Sequence, residues 1–144
     1  MTCYNSELPI GPPGPVGPQG PSGKLPYKVY TALLTQSGVT APTAIELENT
    51  LGTDLEWDYN GPGAYLLTAP ALFLANKTFI LLGSSFDDAA AFNSFAQANR
   101  LNDDSINIFT GILISSAVGE NVTIQPENNY LNNTPIEIRI YPWY

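Results

Sequence analysis

The chain has no histidine and only one cysteine among its 144 residues. The lack of histidine removes the commonest general base and metal ligand, together with every Ser-His or Cys-His nucleophile pair. A single cysteine, Cys3, excludes a disulfide within the chain and a zinc site built from cysteines. We therefore expect a protein that is not an enzyme, with no catalytic residues, no metal ion and no cofactor.

Basic residues are scarce as well, because 5 Lys and Arg stand against 13 Asp and Glu, for a net charge of −8. Nucleic-acid binding needs clustered Lys and Arg, so no nucleic-acid partner is expected. Apolar runs such as Ala69–Ala75 are far shorter than the roughly 18–20 residues of a spanning helix, so membrane insertion is not expected either. The polar start Met1–Glu7 resembles no signal peptide, which predicts synthesis in a cytoplasm without secretory export.

Glycine is concentrated in one stretch, where it occupies every third position and proline follows each of the first four glycines: Gly11, Gly14, Gly17, Gly20 and Gly23. This is the collagen pattern. Three polyproline-II strands wind together only if every third residue, at the crowded axis, has no side chain. Residues 11–24 are therefore predicted to form a triple-helical stalk of about 40 Å, at ~3.1 Å per residue. The alternative is a monomeric Pro/Gly linker.

Four uncharged triplets are too few to trimerise by themselves, so we expect residues 25–144 to be a head domain that holds two further copies of the chain. Period-two alternation in this part predicts strands. Apolar residues alternate with polar ones at Leu55, Trp57 and Tyr59, at Ile106 and Ile108, at Val122 and Ile124, and at Ile136, Ile138 and Ile140. Asn60–Gly63 predicts a hairpin.

Together these signals predict an all-β head, an antiparallel β-sandwich of jelly-roll type. Further strands are expected over Tyr27–Thr35 and Lys77–Leu82. Phe86–Leu101 fits a helical stripe through Ala89, Phe92 and Phe95, and it fits a strand equally well. The secondary structure of that segment stays open.

Two segments of the head, Tyr27–Tyr59 and Asn132–Pro142, resemble a head domain of phage fibre and spike proteins and of collagen-like bacterial proteins. The motifs are YKVYTALLTQSG from Tyr27, LENTLG from Leu47 and NNTPIEIRIY from Asn132. The resemblance covers under half of the chain and implies a trimeric, non-enzymatic fibre. A collagen-like stalk before a β head also resembles complement-type and tumour-necrosis-factor-like trimers, by analogy of fold alone.

Candidate binding residues have both functional and structural interpretations. Asn102–Ser105 offers oxygen ligands for calcium but lacks the spacing of a dedicated loop, so a solvated turn is favoured. Trp57 and Tyr59 suit a sugar-stacking platform, although packing in a strand is favoured. Aromatics at the end of the sequence are expected to contact a neighbouring subunit or a ligand, namely Tyr141, Trp143 and Tyr144.

The sequence as a whole predicts a homotrimeric phage fibre or spike in the virion, assembled in the host cytoplasm. Residues 1–10 are expected to anchor it to a capsid or other virion protein, through Met1, Tyr4, Leu8, Pro9 and Ile10. The distal head is then free to adhere to a host surface or glycan. The alternatives are a bacterial collagen-like surface adhesin, a soluble trimeric ligand-binding protein and, as a third class, a glycan depolymerase.

Overall fold

The computed structural model describes residues 26–83, 94–115 and 122–142. The predicted anchor peptide (1–10) and stalk (11–24), together with Trp143 and Tyr144, lie outside the described residues. The described part is all-β and contains no helix. Its nine strands are β1 Lys28–Thr35, β2 Thr43–Asn49, β3 Glu56–Gly61, β4 Ala64–Thr68, β5 Thr78–Leu82, β6 Ser94–Asn102, β7 Ser105–Ser115, β8 Val122–Pro126 and β9 Thr134–Ile140.

The strands form two sheets in which every pairing is antiparallel. Sheet A has four strands in the order β2-β1-β9-β5. Sheet B has the order β3-β4-β7-β6, and β8 also pairs with β7. Strand β4 pairs with residues 105–109 of β7 and β8 with residues 111–115, so β4 and β8 lie end to end along the same edge of that long strand.

Alternation along each strand directs one set of side chains into a single core between the two sheets. Sheet A supplies Tyr30, Ala32, Leu34, Ile136 and Ile138, whereas sheet B supplies Tyr65, Leu67, Ile106 and Ile108; all are buried. Leu51, Phe73 and Leu131 close the ends of this core from loops. The result is a β-sandwich-like fold, as expected for the head.

Most predicted strands are confirmed, and the exposure of one of them differs from its pattern. Trp57 and Tyr59 pack against the core from β3, which confirms the packing interpretation. Strand β8 forms where the alternation predicts it, but Val122 and Ile124 are exposed. The undecided segment is a strand from Ser94 onward, while residues 86–93 lie outside the described residues.

Two buried polar atoms of the core interior lack a hydrogen-bond partner in the described structure, the Tyr30 hydroxyl and Trp57 Nε1. Burial raises the pKa of Tyr30, while the proximity of Trp57 lowers it by a smaller amount. The indole N–H therefore lies near the Tyr30 hydroxyl without reaching good hydrogen-bond geometry. Tyr65 differs, because its hydroxyl donates to Gln36 Oε1 at 2.8 Å.

Candidate interaction surfaces

The strand that follows the glycine repeat begins at one end of sheet A, here called the proximal end. Only four residues separate Gly23 from Lys28, where β1 begins. Lys28 pairs with Ile140 at the end of β9, and Ile140 pairs with Thr78 at the start of β5. The last residues of β9 therefore lie beside Lys28, the first residue of β1.

Three aromatic rings surround one arginine at the proximal end. Arg139 Cζ lies 4.8 Å from the centroid of the Tyr27 ring and 5.3 Å from that of Phe79. The Tyr27 and Tyr141 rings are 5.3 Å apart and tilted by 55°. We call these four residues the proximal cluster.

Glu137 neutralises the charge of this cluster. Its carboxylate accepts a charge-assisted hydrogen bond from Arg139 Nε. That bond, and the proximity of Tyr141, raise the pKa of Arg139, so the guanidinium stays charged at every accessible pH. The cluster therefore presents flat aromatic surface around a paired charge, which suits an interface better than an unpaired ion would.

Tyr141, expected from the sequence to contact a subunit or a ligand, is held in place within the chain. Its backbone N–H donates to Lys77 O at 2.9 Å, and Lys77 Nζ donates to Pro142 O at 3.2 Å. The structure thus brings Tyr141 to the proximal end beside Tyr27. Trp143 and Tyr144, which the sequence groups with Tyr141, lie outside the described residues.

The outward side of sheet A, here called face A, carries large exposed apolar side chains. On β5, Phe79 lies opposite Arg139 and Leu81 lies opposite Glu137, and both point away from the core. On β2, Ile45 lies opposite Leu33 and points the same way. Ile45 is 60% exposed and Leu81 is 54% exposed. Leu47 is exposed nearby, at the irregular register of β2. Face A thus continues the apolar surface of the proximal cluster across the sheet.

The outward side of sheet B, here called face B, is also partly apolar but differs in charge. Its exposed apolar residues are Phe109, Leu113, Val122 and Ile124. Glu56 and Asp58 lie on the same side of β3, opposite Thr68 and Leu66. The described strands place no Lys or Arg on this face to neutralise them. Face B therefore carries two unneutralised carboxylates, whereas face A carries one, Glu48, which lies opposite Thr31 on the same side as the Glu137–Arg139 pair.

Asn102–Ser105, considered as a calcium loop, is the turn between β6 and β7. Asn102 Oδ1 accepts from the Asp104 backbone N–H at 2.8 Å and from Ser105 Oγ at 2.9 Å. The Asp104 carboxylate accepts from Ala71 N at 2.6 Å, and Asp103 pairs with Arg100. These oxygens hold the turn, in agreement with the favoured interpretation. No group of three or more His, Cys, Asp or Glu in the described ranges could hold a metal ion.

The proximal cluster was missed by sequence reasoning although one signal for it was present. The alternation that directs Ile136, Ile138 and Ile140 inward necessarily places Glu137, Arg139 and Tyr141 outward. What the pattern could not supply is the pairing of β9 with β1 and β5, which brings Tyr27 and Phe79 to the same side. The cluster is thus a product of the sheet order.

Neither a protein-family model, nor a curated protein, nor a solved structure matches this chain. The described part contains no helix long and apolar enough to cross a membrane.

Proposed function

We propose that this chain is a non-enzymatic structural protein of a virion, a homotrimeric fibre or spike attached to the capsid of a phage particle. In this proposal residues 1–10 attach the protein, residues 11–24 form a collagen-like stalk, and residues 25–144 form the distal head. Its partners are two copies of itself, a capsid or other virion protein, and a host surface or glycan.

The observation that carries the proposal is the strict Gly-x-x repeat joined by four residues to the first strand of a β-sandwich. Glycine at every third position has a physical reason only where three chains share one axis. A sandwich with exposed apolar side chains on its surface supplies the means to hold those chains together, since large apolar patches on a soluble domain indicate contacts with other proteins. The resemblance to phage fibre heads supports placing such a trimer on a virion.

The end of the sandwich away from the proximal cluster supports an adhesive role, because its loops are held by specific hydrogen bonds. Gln36 Oε1 accepts from the Asn129 backbone N–H at 2.8 Å, and Asn129 Oδ1 accepts from Gly38 N at 2.7 Å. Asn128 Oδ1 accepts from Gly63 N at 2.8 Å. Loops fixed in this way lose little conformational entropy on binding, which favours a preformed contact surface.

Attachment through residues 1–10 gains from threefold assembly. Each peptide is short and carries Glu7 as its one charged side chain, with apolar groups at Met1, Tyr4, Leu8 and Ile10. After one peptide of a trimer binds, the other two are at high effective concentration, so a modest contact per chain becomes firm attachment. Pro9 restricts the backbone just before the repeat.

The test compares the full chain with a variant that lacks residues 1–10, each expressed during infection by the phage that encodes it. Mass spectrometry of purified particles should detect the full chain and not the truncated one, while light scattering shows that both are trimers. Normal decoration by the truncated chain would overturn the anchor assignment. Absence of the full chain from particles would overturn the virion proposal and favour the surface adhesin.

A further inference from the structure

We propose that face A, together with the proximal cluster, is the surface through which three copies of this chain assemble, so that its occupant is a second copy of the chain. This inference rests on the homotrimer of the proposed function and goes beyond it by assigning the interface to one side of the sandwich. Face B is then the side that points away from the trimer axis.

The length of chain between the repeat and β1 places sheet A near the axis. In a collagen-like triple helix Gly23 lies at the axis, and Tyr27 is four residues further on. Even a fully extended chain limits the distance between their Cα atoms to about 14 Å. Sheet B lies behind sheet A, and packed sheets are about 10 Å apart. Three sandwiches that start this close to one axis turn the layer containing β1 towards it.

The side chains near that starting point fit such an interface. Tyr27 and Phe79 flank Arg139 at the end where the repeat joins β1, and Leu81 and Ile45 extend the apolar surface over both edge strands of sheet A. Aromatic residues and arginine are enriched in the centres of protein interfaces, where charged residues are otherwise depleted.

Charge distinguishes the two faces independently of the repeat. Each chain carries a net charge of −8, so three chains repel one another except where their contact surface is neutral. On face A, Glu137 and Arg139 pair within one chain, and the described strands leave Glu48 as the unneutralised carboxylate there. On face B, the unneutralised Glu56 and Asp58 of three chains would approach one another. Self-association through face A brings together one unneutralised carboxylate per chain instead of two, so it meets less repulsion.

The chain offers a matched pair of positions for the test. Ile45 and Ile124 are the same residue type, are 60% and 61% exposed, and lie on face A and face B respectively. In the full chain, Ile45→Glu should raise the concentration for trimer dissociation at least tenfold, and Ile124→Glu should leave it unchanged. Both side chains are exposed, so each variant should keep the circular dichroism of the folded wild-type head.

A second measurement leaves the interface intact and so does not depend on disruption. In a Cys3→Ser background, a cysteine introduced as Leu81→Cys should react with a maleimide at least tenfold more slowly than one introduced as Ile124→Cys. If wild type is a trimer but both faces react equally and Ile45→Glu stays trimeric, face A is not the interface and the proposed trimer stands. If wild type is a monomer, the homotrimer itself is refuted and this inference with it.

Discussion

Gly63 immediately precedes β4, at the junction where β4 begins and β8 ends along β7, and replacing it with alanine should destabilise the head far more than the same change at Gly38. Its φ angle is +62°, a left-handed conformation that strains any residue with a Cβ. A Cβ at this position would clash with the Thr110 carbonyl oxygen and would lie 2.6 Å from Glu127 N. Both neighbours are backbone atoms and cannot rotate away.

Gly38 is the matched control, because it has the same φ of +62° and no atom within 4 Å of an added Cβ. Left-handed strain costs roughly 1–2 kcal/mol, of which a Gly→Ala change regains about 0.4–1 kcal/mol by restricting the unfolded chain. Gly38→Ala should therefore cost about 1 kcal/mol. This variant measures the strain alone.

Gly63→Ala has the same backbone strain and in addition disrupts the hydrogen bonds at the junction between β4 and β8. The clash must separate Thr110 N from Gly63 O, now 2.7 Å apart, and Glu127 N from Thr110 O, now 3.1 Å apart. Each buried polar group left without a partner costs about 1–3 kcal/mol, so two such losses and the strain should together cost about 3–7 kcal/mol. That is a large fraction of the 5–15 kcal/mol that stabilises a typical domain.

Urea unfolding of the full chain measures both costs, with the variants compared at one protein concentration because assembly contributes to apparent stability. The two variants should differ by at least 2 kcal/mol. Equal destabilisation by Gly38→Ala and Gly63→Ala would show that the β4–β8 junction is not close-packed and would refute the reasoning.

Two further predictions concern the stalk and the buried tyrosines. Gly17→Ala places three methyl groups at the axis of the proposed triple helix, so the polyproline-type circular dichroism signal should vanish while the head's melting temperature stays constant; an unchanged signal would indicate a linker. Burial raises the pKa of Tyr30 and Tyr65 in the folded protein. Exposed tyrosines of the unfolded chain ionise near pH ~10, before the buried ones do. The free energy of unfolding should therefore keep its full value below pH ~10 and decrease above it. Urea midpoints at neutral and alkaline pH measure this decrease, and Tyr30→Phe should make it smaller. The same variant should cost little stability at neutral pH, because the Tyr30 hydroxyl has no hydrogen-bond partner in the described structure. Tyr65→Phe should cost about 1–2 kcal/mol, because it removes the hydrogen bond to Gln36; equal costs for the two changes would contradict this distinction.

The sequence predicted those strands whose two faces differ in polarity. Ile136 and Ile138 alternate with charged residues, and both are buried in the core. The hairpin at Asn60–Gly63 was equally clear, since Gly61 and Gly63 take positive φ angles there. Local alternation was sufficient in these places because the inward side is the apolar side.

Where both sides of a strand are partly apolar, or where pairing is distant in sequence, the pattern was insufficient. Val122 and Ile124 alternate as buried residues would, but β8 joins the sheet beyond the end of β4 and leaves them exposed. Strand β6 lies largely within Phe86–Leu101, a segment whose alanine-rich composition suits a helix, and its pairing with β7 overrides that preference. The proximal cluster depends on the order β1-β9-β5, which no local signal contains.

The most direct test of the central claim is the mass of the full chain in solution, measured by light scattering coupled to size exclusion. The account predicts a single species with the mass of three 15.5 kDa chains, stable over a wide range of protein concentration. A species with the mass of one chain would contradict it, because neither the glycine repeat nor face A would then have the partner that this account assigns to it.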